Sequence, residues 1–256
     1  VVPKGRDVVL HGAGVNLEDY PCQPYPQEGP VRFLFVGRVM HEKGVDELFA
    51  AAKRMKQQYG EQVEFHMVGS FEEAYKPVMD QLEQAGLVTM VGKVNMDRNG
   101  APTLQEASAE ASAQATRRWL EAIDGRYAHT KPILTPRFIP SCSDKLMGML
   151  GEIQKQYRLP VQSHLSENRA EMELVGRLHP DCRQYWETYA KFGLWKEGTL
   201  MAHCVHSDRR ERDAMRSAGV TAVHCAASNN ALCSGIAPVR VMLNEGVKVA
   251  LGSDVA

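Results

Sequence analysis

Two histidines and two acidic residues lie near the ends of apolar, strand-like runs. One run ends at His164, and Glu167 follows three residues later. A second run ends at His203, and a third is followed by Asp254. Imidazole nitrogens and carboxylate oxygens are ligands that Zn²⁺ takes in proteins, and a carboxylate beside the metal can move protons. These residue types therefore predict a zinc site at His164, His203 and Asp254, with Glu167 as the proton carrier.

The positions of these residues are more informative when they are considered together than when each is considered alone. A single histidine at the end of a strand is more often a hydrogen-bonded structural residue than a ligand. Here, however, the polar residues end three different strand-like runs, and segments of helical length separate the runs. In a parallel α/β barrel, the carboxyl ends of successive strands converge on one face, where catalytic residues lie. The three runs thus predict one shared site.

Strand-like runs alternate with helical patterns from residue 31 onward. The eight predicted strands are residues 31–36, 63–68, 88–94, 132–136, 160–164, 199–204, 221–225 and 247–252. Gly219 and Gly246 end two helical patterns just before the next strand, as is typical of repeated βα units. Eight is the number of strands that closes a parallel (β/α)8, TIM-type barrel. The alternative is two separate α/β pieces.

Composition restricts the class of partner. The 256 residues are 44% hydrophobic and 24% charged, with a formal net charge of −1, and they lack the basic excess that binding to a phosphate backbone requires. We therefore expect a small-molecule partner rather than a nucleic acid polymer or a membrane, and homodimer formation stays open. The six cysteines form no Cys-x-x-Cys pair and no secretory or transmembrane segment is recognised, which favours the cytoplasm.

The first predicted strand and helix resemble a sugar-transferring family. Residues 33–38 (FLFVGR) and 42–46 (EKGVD) are similar to the C-terminal domain of retaining nucleotide-sugar glycosyltransferases of the two-Rossmann-domain type. The resemblance implies that Arg38 and Lys43 bind an anionic diphosphate, and two cations beside a helix N-terminus form an anion site on physical grounds as well. The donor-binding Glu motif and the acceptor domain of that family are missing, so glycosyl transfer itself is not expected.

From about residue 91 onward, the sequence resembles the guanine deaminases of the amidohydrolase superfamily. The motifs that carry the resemblance are GKVNMD (92–97), LTPRF (134–138), QSHLSEN (162–168), MAHC (201–204), AVHC (222–225) and LGSDVA (251–256). The resemblance implies a metal-dependent hydrolase that converts guanine to xanthine and ammonia. It makes His164, His203 and Asp254 metal ligands and gives Glu167 and Asp254 catalytic roles.

The same resemblance implies a purine site. Arg137 and Phe138 would hold the purine substrate by hydrogen bonding and stacking. One further histidine and two cysteines are also candidates. His224 either orients the substrate or fills a layer of the barrel, and Cys204 and Cys225 are better interpreted as small buried apolar residues than as zinc ligands.

One motif of that family is missing. Its first strand carries a His-x-His pair that supplies two further ligands, whereas His11, His41 and His66 each stand alone. This predicts a weak or empty zinc site and impaired deamination. The chain is interpreted as a chimera of a glycosyltransferase-like segment (about 1–90) and a partial amidohydrolase barrel (about 91–256). Three functions stay open: an enzyme, a module that binds a nucleotide-sugar, phosphate or purine, and an inactive recombined or designed scaffold.

Overall fold

A computed structural model describes residues 29–36, 45–70, 76–84, 86, 88–100 and 104–254. The strands in these ranges are β1 (Val31–Val36), β2 (Val63–Ser70), β3 (Val88–Gly92), β4 (Val94–Asn95), β5 (Thr130–Pro132), β6 (Thr135–Pro136), β7 (Val161–Leu165), β8 (Thr199–His203), β9 (Thr221–His224) and β10 (Lys248–Leu251). The helices are α1 (Val45–Tyr59), α2 (Lys76–Gln84), α3 (Ala109–Ile123), α4 (Asp144–Tyr157), α5 (Arg169–Leu178), α6 (Tyr185–Lys191), α7 (Arg209–Ala218), α8 (Ala226–Ala231) and α9 (Val239–Asn244). Short 3-10 helices occur at Gly60–Gln62 and Ile139–Ser141.

The strands pair in parallel and in chain order. One sheet has the order β1-β2-β3-β5, a second has the order β7-β8-β9-β10, and β4 pairs with β6. A parallel bridge between Leu134 and Val161 joins the two four-stranded sheets. Since β4 continues β3 and β6 continues β5, the strands occupy eight positions, as predicted. The parallel α/β architecture of a TIM-type barrel is thereby confirmed.

The first and last strands, β1 and β10, lie in contact. Within the ranges given above, no ladder of hydrogen-bonded residues joins them, so the pairing expected between residues 31–36 and 247–252 is not observed. The predicted segment boundary near residue 90 lies inside β3, which pairs with β2 on one side and with β5 on the other. The division into two segments of different origin stays a prediction.

Gly92 explains how β3 can lie so close to the next strand. A Cβ atom at this position would be 2.1 Å from the carbonyl oxygen of Ile133 and 2.2 Å from Oγ1 of Thr135. Both distances are far below van der Waals contact, and the first atom belongs to the backbone, which cannot rotate away. Only glycine therefore allows this approach between two neighbouring strands of the barrel.

Helices α3, α4, α5 and α7 begin with side-chain caps, and the cap residues are Ser108, Ser143, Asn168 and Asp208. Each cap oxygen accepts a hydrogen bond from the backbone N–H three residues later, which satisfies a donor that the helix leaves free. The polar caps direct the chain from each strand end into the following helix. None of the described helices has the length and apolar character needed to cross a membrane.

The core lies between the strands and the helices that cover them. Fully buried side chains from the strand region, such as Leu134 and Val161, belong to the same hydrophobic cluster as Leu146 and Leu150 of α4. Tyr189 of α6 is also fully buried, and its hydroxyl group donates to the carbonyl oxygen of His164 at 2.7 Å. A helix that was not predicted thus supports the strand end where the candidate ligands lie.

Candidate metal centre

The strands β7 and β8 bring His164 and His203 together by an irregularity of the backbone. Their register pairs Leu165 with His203 and His164 with Ala202. Side chains alternate between the two faces of a strand, so regular strands would direct the two histidines to opposite faces. His203 instead has a φ of 72°, which ends the pleat at this residue, and the two rings lie 4.7 Å apart at 74°.

Three side chains, those of His164, Glu167 and Asp254, lie around the His203 ring. One ligand atom each from His164, Glu167 and His203 lies within 4.8 Å of the others. The His203 Nε2 atom is 3.7 Å from Oε2 of Glu167 and 3.6 Å from Oδ2 of Asp254. The predicted residues of the site are therefore adjacent in the fold, although they lie up to 90 positions apart in the chain, from His164 to Asp254.

The donor set fits a divalent cation. His203 is 0% exposed, and its Nε2 atom has no hydrogen-bond partner. An unpartnered buried polar atom is unfavourable, and here it faces two carboxylates. Two imidazoles and one or two carboxylates form a ligand set that suits Zn²⁺. The residues that could hold the metal are His164, His203 and Asp254, with Glu167 beside them.

His164 is electrically neutral in this environment. Burial of the ring and the neighbouring His203 lower its pKa to about 3, and Asp254 opposes this only in part. A neutral imidazole keeps the lone pair that a metal ligand needs.

A second set of polar residues orients this cluster. Asn229 lies in α8, and its Oδ1 atom is 2.9 Å from Nδ1 of His203. An amide oxygen only accepts, so Nδ1 carries the proton and the Nε2 lone pair faces the two carboxylates. Ser228, the residue before it, donates from Oγ to Oδ2 of Asp254 at 2.8 Å. The short helix α8 thus fixes two of the candidate ligands.

Several residues at this end of the barrel have left-handed backbone conformations that are rare for residues other than glycine. They are Ser166 (φ 48°), His203 (φ 72°), Cys204 (φ 50°) and Asp254 (φ 45°). A left-handed conformation costs about 1 kcal/mol for a residue with a side chain. Such conformations persist where the surroundings impose them, and they often cluster at functional sites.

Arg137 and Phe138 follow β6 at the border of the cluster. The Phe138 ring centroid is 5.8 Å from that of His164, and the Arg137 Cζ atom is 5.4 Å from the Phe138 ring centroid. The Arg137 backbone N–H donates to Asn95 at 3.1 Å, which anchors this segment to β4. An exposed guanidinium beside a half-buried aromatic ring offers hydrogen-bond donors and a stacking face to a planar ligand.

The remaining candidates lie outside the cluster. His224 ends β9, and its Nδ1 atom is buried without a partner, while burial lowers the pKa of the ring. Burial raises the pKa of both Cys204 and Cys225, the latter to about 12, so both thiols are neutral, as expected of small buried residues. His66 contacts Glu64 at 3.1 Å on β2. Arg38 and Lys43 lie outside the described residues, as do His11 and His41.

Sequence reasoning named the candidate ligands but missed the residues that orient them. Asn229 and Ser228 belong to a helix of six residues, which is too short to show a clear hydrophobic period. The available signal was the presence of polar residues directly after a strand-end His-Cys pair, where barrel loops reach the site.

The model of the Amidohydrolase family matches residues 39–256 of this sequence. The chain belongs to the amidohydrolase family. Over 178 residues this amidohydrolase is 40% identical to guanine deaminase of Homo sapiens, with 69% of this chain and 39% of the relative covered. It is 33% identical over 170 residues to guanine deaminase of Escherichia coli, with 65% of this chain and 38% of the relative covered. The amidohydrolase chain thus spans about two fifths of the length of these relatives.

Solved structures give the same family. The crystal structure of guanine deaminase from C. acetobutylicum, with guanine bound in its active site, has a TM-score of 0.72 and 34% identity to this amidohydrolase, covering 89% of this chain and 61% of that one. A zinc-bound atrazine chlorohydrolase from Arthrobacter aurescens has a TM-score of 0.66 at 14% identity and shares the fold. Members of the amidohydrolase family typically use zinc.

The family match and the sequence motifs assign the N-terminal segment to different families. The family match begins at residue 39, well inside the segment of about 1–90 that resembles glycosyltransferases. None of these matches supports the glycosyltransferase resemblance or the chimera. Residues 39–90 are part of the amidohydrolase match, and the separate origin of the N-terminal segment stays a prediction.

Proposed function

We propose that this chain carries the catalytic face of a zinc-dependent guanine deaminase, which converts guanine and water to xanthine and ammonia. The observation that carries the proposal is the unpartnered, buried Nε2 atom of His203, which faces the carboxylates of Glu167 and Asp254. The relatives named guanine deaminase support the choice of substrate.

The candidate ligands are His164, His203 and Asp254. Three protein ligands can hold a catalytic zinc and leave a position open. When bound, zinc supplies Lewis-acid activation of water near neutral pH. The lack of a recognised His-x-His pair predicts a lower zinc affinity and a lower turnover than five ligands would give, and this expectation stays part of the proposal.

Glu167 is proposed to move the proton between water and the purine. Ser234 donates from Oγ to Oε1 of Glu167 at 3.1 Å, so the other carboxylate oxygen, Oε2, is directed towards His203. A carboxylate held in this way can accept a proton from water and deliver it to the leaving group. Arg137 and Phe138 are proposed to hold the purine, because a donor and an aromatic face border the same cluster.

The test is ammonia release from guanine in the presence of added Zn²⁺, together with metal analysis of the purified protein. We expect zinc-dependent turnover that His203→Ala abolishes. His129→Ala is the matched control. His129 is exposed and directly precedes the amino end of β5, whereas the cluster lies at carboxyl ends of strands, so this change should leave turnover unchanged. If zinc binds without turnover, a binding module is the better interpretation, and if no zinc binds, the enzyme proposal is wrong.

A further inference from the structure

The N-terminus of helix α7 differs from the N-termini of α5 and α6, the two helices that precede it in the chain. Its N-cap is Asp208, and Glu211 occupies the third helical position. In a capping box, a glutamate at this position reaches back to the backbone N–H of the cap residue. Glu171 of α5 and Glu187 of α6 do so. The Glu211 side chain instead turns towards the neighbouring loop.

The Glu211 carboxylate joins the loops that follow β7 and β8. Its Oε2 atom accepts from Oγ of Ser166 at 3.1 Å, and its Oε1 atom accepts from Oγ of Ser207 at 2.6 Å. The backbone N–H of His206 donates to the Ser166 carbonyl oxygen at 2.9 Å, which reinforces the same link. Ser166 is the left-handed residue that directly precedes Glu167.

The burial of Glu211 is not explained by the helix itself. Only 2% of the residue is exposed, and burying a carboxylate is unfavourable. The Asp208 side chain already accepts from the Glu211 backbone N–H at 2.9 Å, so the helix has its cap without the Glu211 carboxylate. The contacts that the carboxylate makes are with the loops on either side of the candidate metal centre.

We propose that Glu211 is a positioning residue that acts through the Ser166 hydroxyl group to hold the left-handed turn, and so directs Glu167 towards His203. Loss of the carboxylate frees Ser166 to adopt the right-handed or extended backbone that serine prefers. The Glu167 side chain then leaves the position in which its Oε2 atom is 3.7 Å from His203. This inference rests on the proposed catalytic role of Glu167.

The kinetic test compares Glu211→Ala, Glu211→Gln and Glu187→Ala. Glutamine keeps one acceptor and a group of the same shape, so Glu211→Gln should stay within about 3-fold of the unmodified kcat. Glu211→Ala should lower kcat by about 10- to 100-fold, as misplaced catalytic groups do, while KM and zinc affinity change little. Glu187→Ala removes a glutamate from the same position of another helix and should have no effect on kcat.

Ser166→Ala removes the other partner of the hydrogen bond, and it keeps the test decisive if Glu211→Ala does not fold. It should reproduce most of the loss in kcat. Unchanged kcat in Ser166→Ala, or equal losses in Glu211→Ala and Glu187→Ala, would overturn the proposal.

A structural measurement separates this inference from the proposed function. Crystal structures of the unmodified protein and of Glu211→Ala, or of Ser166→Ala if the first does not fold, give the φ angle of residue 166 and the distance from Glu167 to His203. The inference predicts that the variant loses the positive φ and that the distance increases. If the unmodified protein does not turn over guanine, the proposed function fails, yet this comparison still decides the positioning role. An unchanged φ and distance would contradict it.

Discussion

Glu211 should make the stability of the protein depend on pH, and Glu211→Gln should remove that dependence. Burial raises the pKa of this carboxyl group from 4.5 to about 7, and the charges of Asp208 and Glu171 add to the effect, while the hydroxyl groups of Ser207 and Ser166 oppose it. Glutamine has a similar shape but does not ionise. The two proteins therefore differ mainly in whether this position carries a proton.

The sign follows from the two ionisation equilibria. Below pH 4.5, the carboxyl group is protonated in both the folded and the unfolded chain, so its contribution to stability is fully present. As the pH rises to about 7, the unfolded chain ionises first, which favours unfolding. The difference between the two pKa values corresponds to about 3 kcal/mol. The unmodified protein should lose this stability relative to Glu211→Gln across the window.

The assay is urea unfolding of both proteins at about pH 5 and about pH 8. Other titrating groups are common to both, so the comparison between the two free energies of unfolding isolates residue 211. Relative to Glu211→Gln, we expect the unmodified protein to be less stable at about pH 8 than at about pH 5 by roughly 2 to 3 kcal/mol. A relative change below about 1 kcal/mol would refute the argument that this carboxylate is buried at a free-energy cost.

Three further predictions concern the site and the barrel. Asn229→Ala removes the acceptor that orients His203. Zinc affinity, measured by competition with a chelator, should therefore fall about 10- to 100-fold. An unchanged zinc affinity would exclude this role of Asn229. Phe138→Ala removes the stacking face and should raise KM for guanine more than it lowers kcat in steady-state assays; the reverse pattern would place Phe138 outside the purine site. Gly92→Ala forces a Cβ atom against the Ile133 backbone, and it should lower the free energy of unfolding in urea by more than about 2 kcal/mol. Gly148→Ala is the control and should have no such effect, because a Cβ atom there would have no neighbour within 4 Å outside its own helix backbone.

The strand order and the candidate ligands could be predicted from sequence because each rests on a local pattern. Alternating apolar residues and terminal glycines identified all eight strand positions, and parallel pairing then placed His164 near Asp254. The turn of the His203 side chain could not be predicted, since a left-handed histidine has no sequence signature. The link from Glu211 to Ser166 also could not be predicted, because a run of mixed charges such as residues 208–213 is most often a solvated helix face.

The N-terminal segment carries a resemblance that none of the matches supports. The sequence pattern of residues 33–46 is a strand-like run, then basic residues, then the start of a helical pattern. This pattern occurs in many α/β families because the physical demands on a βα turn are the same. A resemblance that covers one such unit therefore says little about ancestry. The match to the amidohydrolase family, in contrast, covers residues 39–256.

The left-handed residues at the strand ends also bear on how this protein would change if its chemistry were no longer under selection. Ser166 and Cys204 are not candidate ligands, yet each keeps a backbone conformation that glycine or asparagine would adopt at lower cost. Strained backbone conformations of this kind often persist where function depends on them. In lineages that have lost catalysis, glycine and asparagine should therefore accumulate at these two positions, so the residues found there would distinguish active descendants from inactive ones.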